Sequence, residues 1–259
     1  MKSTQDIFLS LLPQATEISK EVSRRFFKKP LDQIGMISKA DASPVTAADL
    51  EIEAKLRELI AKNFPQHGII GEEHGNTNTD AEFVWVLDPI DGTKSFISGV
   101  PLFTTLVALL HKGEPMCGAI YQPILDELVW GNNKECFFNG KPTRIRNTSS
   151  LAEATLLVTD ARHVGELHPQ AQFNALAADV KFWRTWADGY GYALLATGYA
   201  DIMLDPIMNP WDIMAAVPVV RGAGGVVSDF TGGDGVHGKS LIAASPLLHS
   251  QVLKKLSNG

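Results

Sequence analysis

Cysteine is nearly absent from the chain. Only Cys117 and Cys136 occur among 259 residues, with no CxxC and no histidine spaced to join them, so neither a disulfide framework nor a zinc cluster is predicted and both read as buried thiols. A basic excess is missing too. The 23 Lys and Arg are scattered and outnumbered by 29 Asp and Glu, giving a net charge of -6, which argues against a general grip on nucleic-acid phosphates. No apolar run approaches the roughly 20 residues of a membrane span, and the opening "MKSTQDIFLSLLPQ" lacks the apolar core and cleavage site of a secretory leader. The expectation is a cytoplasmic protein that engages neither membrane nor nucleic acid. Histidines 67, 74, 111 and 237 show no ligand spacing and read as surface, turn or packing residues. What the chain does have is a 45% hydrophobic content, enough at this length for a full core in one large domain or two closely packed halves.

The apolar residues Ile7, Leu11, Ile18, Val22 and Phe26 recur at helical spacing over Asp6 to Lys28, and Leu50, Ala54, Leu56, Leu59 and Ile60 do so from Ala47 to Asn63, with Thr46 as N-cap. Short β-rich runs follow: "HGIIGEE", "FVWVLDP", "FTTLVALLHKG", "PMCGAIYQP", "ELVWGNN" and "ECFFNG". Gly, Pro and Asn between them predict hairpins of an antiparallel sheet. From about residue 151 strands alternate with helices. Strands are predicted at "ATLLVTD", "KFWRTW", "ADIMLDP" and "GGVVSDF", and helices at "HPQAQFNALAAD", "GYGYALLATG" and "PWDIMAAVPVVRGA". The fold class expected is α/β (α+β): an N-terminal half, 1–150, and a C-terminal half, 151–259, with helices over both sheets and a cleft between the halves.

One stretch carries most of the chemistry. "VLDPIDGT", residues 86–93, puts Asp88 at the mouth of a β-rich run, keeps it out of helical geometry through Pro89, and follows with Asp91 and a permissive Gly92. Thr93 is predicted to cap a short helix through "KSFISG", whose first N–H groups would face the same space as the carboxylates. Two hard oxygen ligands beside an anion-binding turn point to Mg²⁺ and a phosphate ester. Glu72 and Glu73 of "IIGEEHG", Asp212 in the first turn of "NPWDIMAAV", Asp49 of "SPVTAADLE" and the upstream Lys39 complete the set of candidates. Each alone is commonplace, since an Asp–Gly pair is usually a turn and a first-turn aspartate usually a dipole complement.

Taken together, "GEE" at 71–73, "WVLDPIDGTKSF" at 85–96, "WDIMAAVPVVRGAGGVVSDFTGG" at 211–233 and "SPVTAAD" at 43–49 resemble the inositol monophosphatase superfamily of lithium-sensitive metal phosphatases. The resemblance implies a layered αβαβα sandwich of the inositol monophosphatase and fructose-1,6-bisphosphatase type. It also implies two or three Mg²⁺ ions: Glu72, Asp88 and the Ile90 carbonyl around the first, and Asp88, Asp91 and Asp212 around the second. Thr93 with Asp49 is similar to the water-activating couple, Gly92 and Thr93 to the phosphate-holding backbone, and Glu73 and Lys39 to supporting residues. Relatives commonly form homodimers, for which the apolar "VALLHKG" and "LVWGN" hairpins are candidate interfaces.

Within the superfamily, "KSFISG" and "WRTWADGYGYALLATG" look like histidinol-phosphate phosphatases, in which an aspartate stands at the position of Asp188. Histidinol phosphate carries an ammonium and an imidazole, so Asp188 and Asp205 would pair with its cationic end, while a neutral polyol needs hydroxyl-directed hydrogen bonds. Arg184 either shapes this pocket or pairs with a carboxylate, and Trp183, Trp186 and Tyr190 read as core or cleft walls. The expected activity is hydrolysis of L-histidinol phosphate in histidine biosynthesis. Inositol 1-phosphate or a broader sugar-phosphate range is the alternative. A metal-responsive binding protein without turnover is the alternative of another class, opposed by the presence of Thr93, Asp49 and every expected ligand.

Overall fold

Ser3 opens the first helix with a reciprocal capping box to Asp6, and the computed structural model describes residues 3–39, 43–167 and 170–257. Helix α1 (Thr4–Phe26) precedes the two-residue strands β1 (Ile37–Ser38) and β2 (Pro44–Val45) and helix α2 (Ala47–Asn63). Its buried face is Phe8, Leu11, Leu12, Ala15, Ser19 and Val22. Ile7, Ile18 and Phe26 flank that face half-buried. In α2 the inward face departs from the sequence pattern. Leu50 is exposed, while Asp49 and Glu53 are fully buried beside Ile52, Leu56 and Ile60. A polar interior explains the substitution: Asp49 accepts from its own N-cap, Thr46, and Glu53 accepts the Glu73 N–H.

The first sheet comprises β3 (Gly68–Gly71), β4 (Gly75–Thr77), β5 (Phe83–Asp91), then, after the short helix α3 (Thr93–Ile97), β6 (Thr104–His111), β7 (Glu114–Gln122), β8 (Glu127–Gly131), β9 (Cys136–Phe138) and β10 (Lys141–Pro142). Its strand order is β10-β9-β8-β7-β6-β5-β3-β4. Pairing is antiparallel except between β3 and β5. The exception arises because β4 folds back along β3 and the chain then reverses again into β5. Cys117 and Cys136 are buried free thiols.

The second sheet is built from β11 (Thr155–Val158), β12 (Phe182–Arg184), β13 (Ile202–Asp205), β14 (Val226–Ser228) and β15 (Leu241–Ala244), in the order β12-β11-β13-β15-β14. Interleaved with these strands are α4 (Ala161–Leu167), α5 (Gln170–Asp179), α6 (Gly189–Ala196), α7 (Pro210–Gly222) and α8 (Pro246–Ser257). The helix expected over "HPQAQFNALAAD" begins on residues 168 and 169, outside the described residues, and is otherwise α5. Strand β15 and helices α4 and α8 had no counterpart in the sequence reading.

Layering follows from which faces are apolar. Helices α1 and α2 cover one face of the first sheet; α6 and α7 lie between the sheets; α5 and α8 cover the far face of the second. Helix α7 is buried almost all round from Ile213 to Val220, as a helix sandwiched between two layers must be. The result is an αβαβα sandwich. Of the hairpins expected at a dimer interface, 107–113 and 128–132, Val107 to Leu110 and Val129 to Gly131 are buried within this chain because both faces of the first sheet carry helices, while His111, Leu128 and Asn132 are half-buried and Lys112 and Gly113 exposed.

Candidate active site

The DPIDG segment ends β5 with an irregularity that decides where its acids point. Residues three apart on a regular strand face opposite sides of the sheet. Here Asp88 lies opposite Leu106 and Asp91 opposite Thr104, so three steps on β5 match two on β6, and the register shifts between them. Such a bulge re-aims a side chain, and it puts both aspartates in one space. The kink is held from below: Thr105 Oγ1 donates to the Pro89 carbonyl at 2.7 Å and lies 2.6 Å from Ser19 Oγ of α1.

Asp212 arrives from the second half of the chain. Asn209 caps α7, Pro210 occupies its first turn, and Asp212 Oδ2 accepts the Asn209 N–H at 2.7 Å. One carboxylate oxygen from each of Asp88, Asp91 and Asp212 falls within 4.8 Å of the others. Asp88 is only 2% exposed, and its Oδ1 has no hydrogen-bond partner. A buried carboxylate oxygen left unpaired among other acids fits a hard divalent cation.

The electrostatics agree with the geometry. Burial, then Glu72, Asp91, Asp212 and Asp49, push the Asp88 carboxyl well above its usual range. Burial, then Asp188, Asp212 and Asp205, do the same to Asp91, against one stabilising N–H from Gly189. Asp212 is raised to about 7, chiefly by burial. Carboxylates this crowded favour protonation unless a cation is shared among them.

Glu72 and Glu73 follow β3 and lie on the same side. Lys39 Nζ bridges them, at 2.8 Å from Glu72 Oε1 and 2.7 Å from Glu73 Oε1. Burial raises Glu73 to about 7. Asp49 Oδ2 accepts from Thr46 N at 2.8 Å and Thr46 Oγ1 at 2.5 Å, which leaves Oδ1 directed at Thr93 Oγ1, 3.4 Å away. Burial lifts Asp49 to about 6. The Thr93 hydroxyl also donates to the Ile90 carbonyl at 3.0 Å. Thr93 is not the cap of α3 as expected. Gly92 is, at φ 89° and ψ 36°, a left-handed geometry that a β-branched residue avoids.

Asp188 and Asp205 sit against this group. Asp188, the N-cap of α6, has φ 55° without a side-chain capping bond, and its Oδ2 comes to 3.0 Å from where a β-carbon on Gly92 would stand. Burial raises it to about 6, with Lys94 opposing. Asp205 ends β13, is 6% exposed, and is pushed well up by burial and then by Asp188 and Asp212. Arg184 is not drawn into the cluster. It donates to the Trp183 carbonyl at 2.7 Å and lies over the rings of Phe182 and Trp186. Trp183 and Trp186 are partly exposed rather than core.

Glu53 is the site-adjacent residue that sequence reasoning missed. Its buried carboxylate accepts from Glu73 N at 2.7 Å, His74 N at 3.0 Å and Arg57 Nε at 2.7 Å, tying α2 to the turn that presents Glu72. Its spacing four residues after Asp49 was the available signal.

Relatives share this framework. The chain is 41% identical over 230 residues to the chloroplastic bifunctional phosphatase IMPL2 of Arabidopsis thaliana, covering 88% of this chain and 65% of that longer protein. It is 32% identical over 250 residues to a histidinol-phosphatase of Chlorobaculum parvum, covering 94% and 96%. Among solved structures, an inositol monophosphatase from Zymomonas mobilis superposes with a TM-score of 0.85 at 32% identity, covering 98% and 99%. Residues 5–259 match the family described by the same enzyme, and with both sheets, the bulged DPIDG strand and the converging aspartates in place, the chain belongs to the inositol monophosphatase family.

Proposed function

We propose that this phosphatase is a Mg²⁺-dependent phosphomonoesterase whose substrate is L-histidinol phosphate. The observation that carries the substrate choice is the pair Asp188 and Asp205, two further acids, the first half-buried and the second buried, whose charges bear on Asp91. A neutral polyol offers them nothing ionic. An ammonium and an imidazole would satisfy both. The similarity to a histidinol-phosphatase over nearly the full length of each chain supports the same reading.

Asp88, Asp91, Asp212, Glu72 and the Ile90 carbonyl would hold the metal. When bound, it would polarise phosphoryl oxygens, supply an activated nucleophile and offset charge on the leaving alkoxide. The rest falls to the chain's own groups. Thr93 Oγ1 takes a proton from the attacking water while passing its own to Asp49 Oδ1, whose carboxyl, raised to about 6, is a usable base near neutrality. The first N–H groups of α3, from Gly92 and Thr93, have no acceptor within their own helix and are available to phosphate oxygens. Lys39 spans Glu72 and Glu73 and keeps these acids oriented toward the cluster.

Phosphate release with Mg²⁺ from histidinol phosphate, inositol 1-phosphate, fructose 1,6-bisphosphate and a 3′-phosphonucleotide tests the proposal. The highest kcat/KM is expected for histidinol phosphate. A preference for inositol 1-phosphate would instead favour the reading suggested by an inositol-1-monophosphatase of Caulobacter vibrioides, 31% identical over 261 residues.

A further inference from the structure

A second cleft, of about 290 Å³, lies on the other side of the α6 start from the carboxylates, between that helix and strands β6 to β9. Its apolar wall is Ile120, Val129 and Phe138 from the sheet with Ala193 and Leu194 from the helix. Two polar features stand out in it. Glu127 contributes a carboxylate whose hydrogen-bond partner is the Tyr190 hydroxyl, at 3.0 Å, rather than a cation. Thr104, which also lines the cleft, is fully buried, yet its Oγ1 has no hydrogen-bond partner. With no accessible surface of its own, that hydroxyl faces the partition at Gly189 rather than the open cleft.

We propose that this cleft is a binding site, separate from the catalytic acids, for a small organic cation with an apolar body. A cleft of this size accepts a ligand at the small end of the usual range. The body packs against the aliphatic and aromatic wall, and an ammonium or imidazolium pairs with Glu127 and donates to Tyr190 Oη. The site is coupled to catalysis by its wall. Tyr190 follows Asp188 and Gly189, and a β-carbon on Gly189 would stand 2.3 Å from Thr104 Oγ1 and 2.6 Å from Asp91 Oδ2. Only a glycine lets the cleft and the acid cluster share so thin a partition. An occupant pressing on Tyr190 therefore bears on the backbone that positions Asp188 and donates to Asp91.

The probe is phenethylamine, titrated calorimetrically into the Mg²⁺-loaded protein with saturating inorganic phosphate, so that the catalytic carboxylates are occupied. Binding of roughly millimolar affinity is expected for so small a ligand. Glu127→Gln, which keeps an acceptor for Tyr190, should weaken it about tenfold without changing basal turnover or the melting temperature, as should replacing the probe by uncharged phenethyl alcohol. Ala193→Leu, narrowing the apolar end, should abolish it. The proposal is overturned if phenethylamine does not bind, if Glu127→Gln or phenethyl alcohol binds equally well, or if Asp188→Asn rather than Glu127→Gln removes the binding, which would locate the probe in the catalytic cleft.

Discussion

Asp188 is held at φ 55° and ψ −157°, a conformation that favours glycine and costs a non-glycine residue about 1–3 kcal/mol. The side chain makes no capping bond to α6 that would offset that cost. Asp188→Gly should therefore raise stability by about 1 kcal/mol in a denaturant titration while reducing any turnover of histidinol phosphate; a stability loss would show that the acid is part of the scaffold. Thr93 presents a different case, because its hydroxyl stands between the Ile90 carbonyl and Asp49. Thr93→Val should lower kcat by roughly 10²–10⁴-fold, with KM and the Mg²⁺ dependence nearly unchanged. A mainly raised KM would assign Thr93 to substrate binding instead. At this scale the aspartates were legible in the sequence because Pro89, Gly92 and Asn209 are local signals that place Asp88, Asp91 and Asp212 at strand and helix ends. Arg184 was not, since its choice between a carboxylate and the rings of Phe182 and Trp186 depends on the course of β12 and the loop after it.

Elements deliver these side chains, and α2 does so from an unexpected face. Its buried acids, Asp49 and Glu53, lie one helical turn apart, the first aimed at Thr93 and the second at the N–H groups of Glu73 and His74. Hydrophobic periodicity predicts the helix but turns it so that Leu50 faces inward; the acids win because each satisfies backbone donors that would otherwise be buried unpaired. Glu53→Gln should raise the Mg²⁺ concentration for half-maximal phosphate release by on the order of 10–100-fold, with kcat largely recovered at saturating metal. An unchanged Mg²⁺ requirement with only a lower melting temperature would reduce Glu53 to a structural role. The parallel pairing of β3 with β5 was illegible for a related reason: a hairpin signal fixes neighbours in sequence, while the crossover past β4 is set by the whole sheet. Helix α8 had a readable signal in Leu248, Val252 and Leu256, four residues apart and all buried.

For the whole molecule, the αβαβα layering was within reach of the order of β-rich and helical runs and of the family resemblance, while the charge balance of the cleft emerges only when both sheets are assembled. Acids from β5, α2, the turn after β3, α7, β13 and the start of α6 meet there, and most of their carboxyls are raised. A carboxyl whose folded pKa is raised contributes stability below its unfolded pKa and loses it as pH rises through the folded value. Asp49 and Asp188, near 6, have lost this contribution by pH 7, whereas Asp212 and Glu73, near 7, are still losing theirs, so the metal-free protein should melt at a slightly lower temperature at pH 8.5 than at pH 7. Half-buried His67 and buried His249 are shifted down by desolvation, so they act in the opposite sense only at lower pH. Thermal melts in EDTA and in excess Mg²⁺ check this: the decline should shrink with metal, and parallel curves would mean that the cation does not sit among the acids. Whether negative charge at Asp188 selects a cationic phosphate ester is read from kcat/KM of Asp188→Asn and the unaltered protein on histidinol phosphate and on glycerol phosphate. The expected result is a loss at least tenfold larger on histidinol phosphate, and equal losses on the two substrates would contradict it.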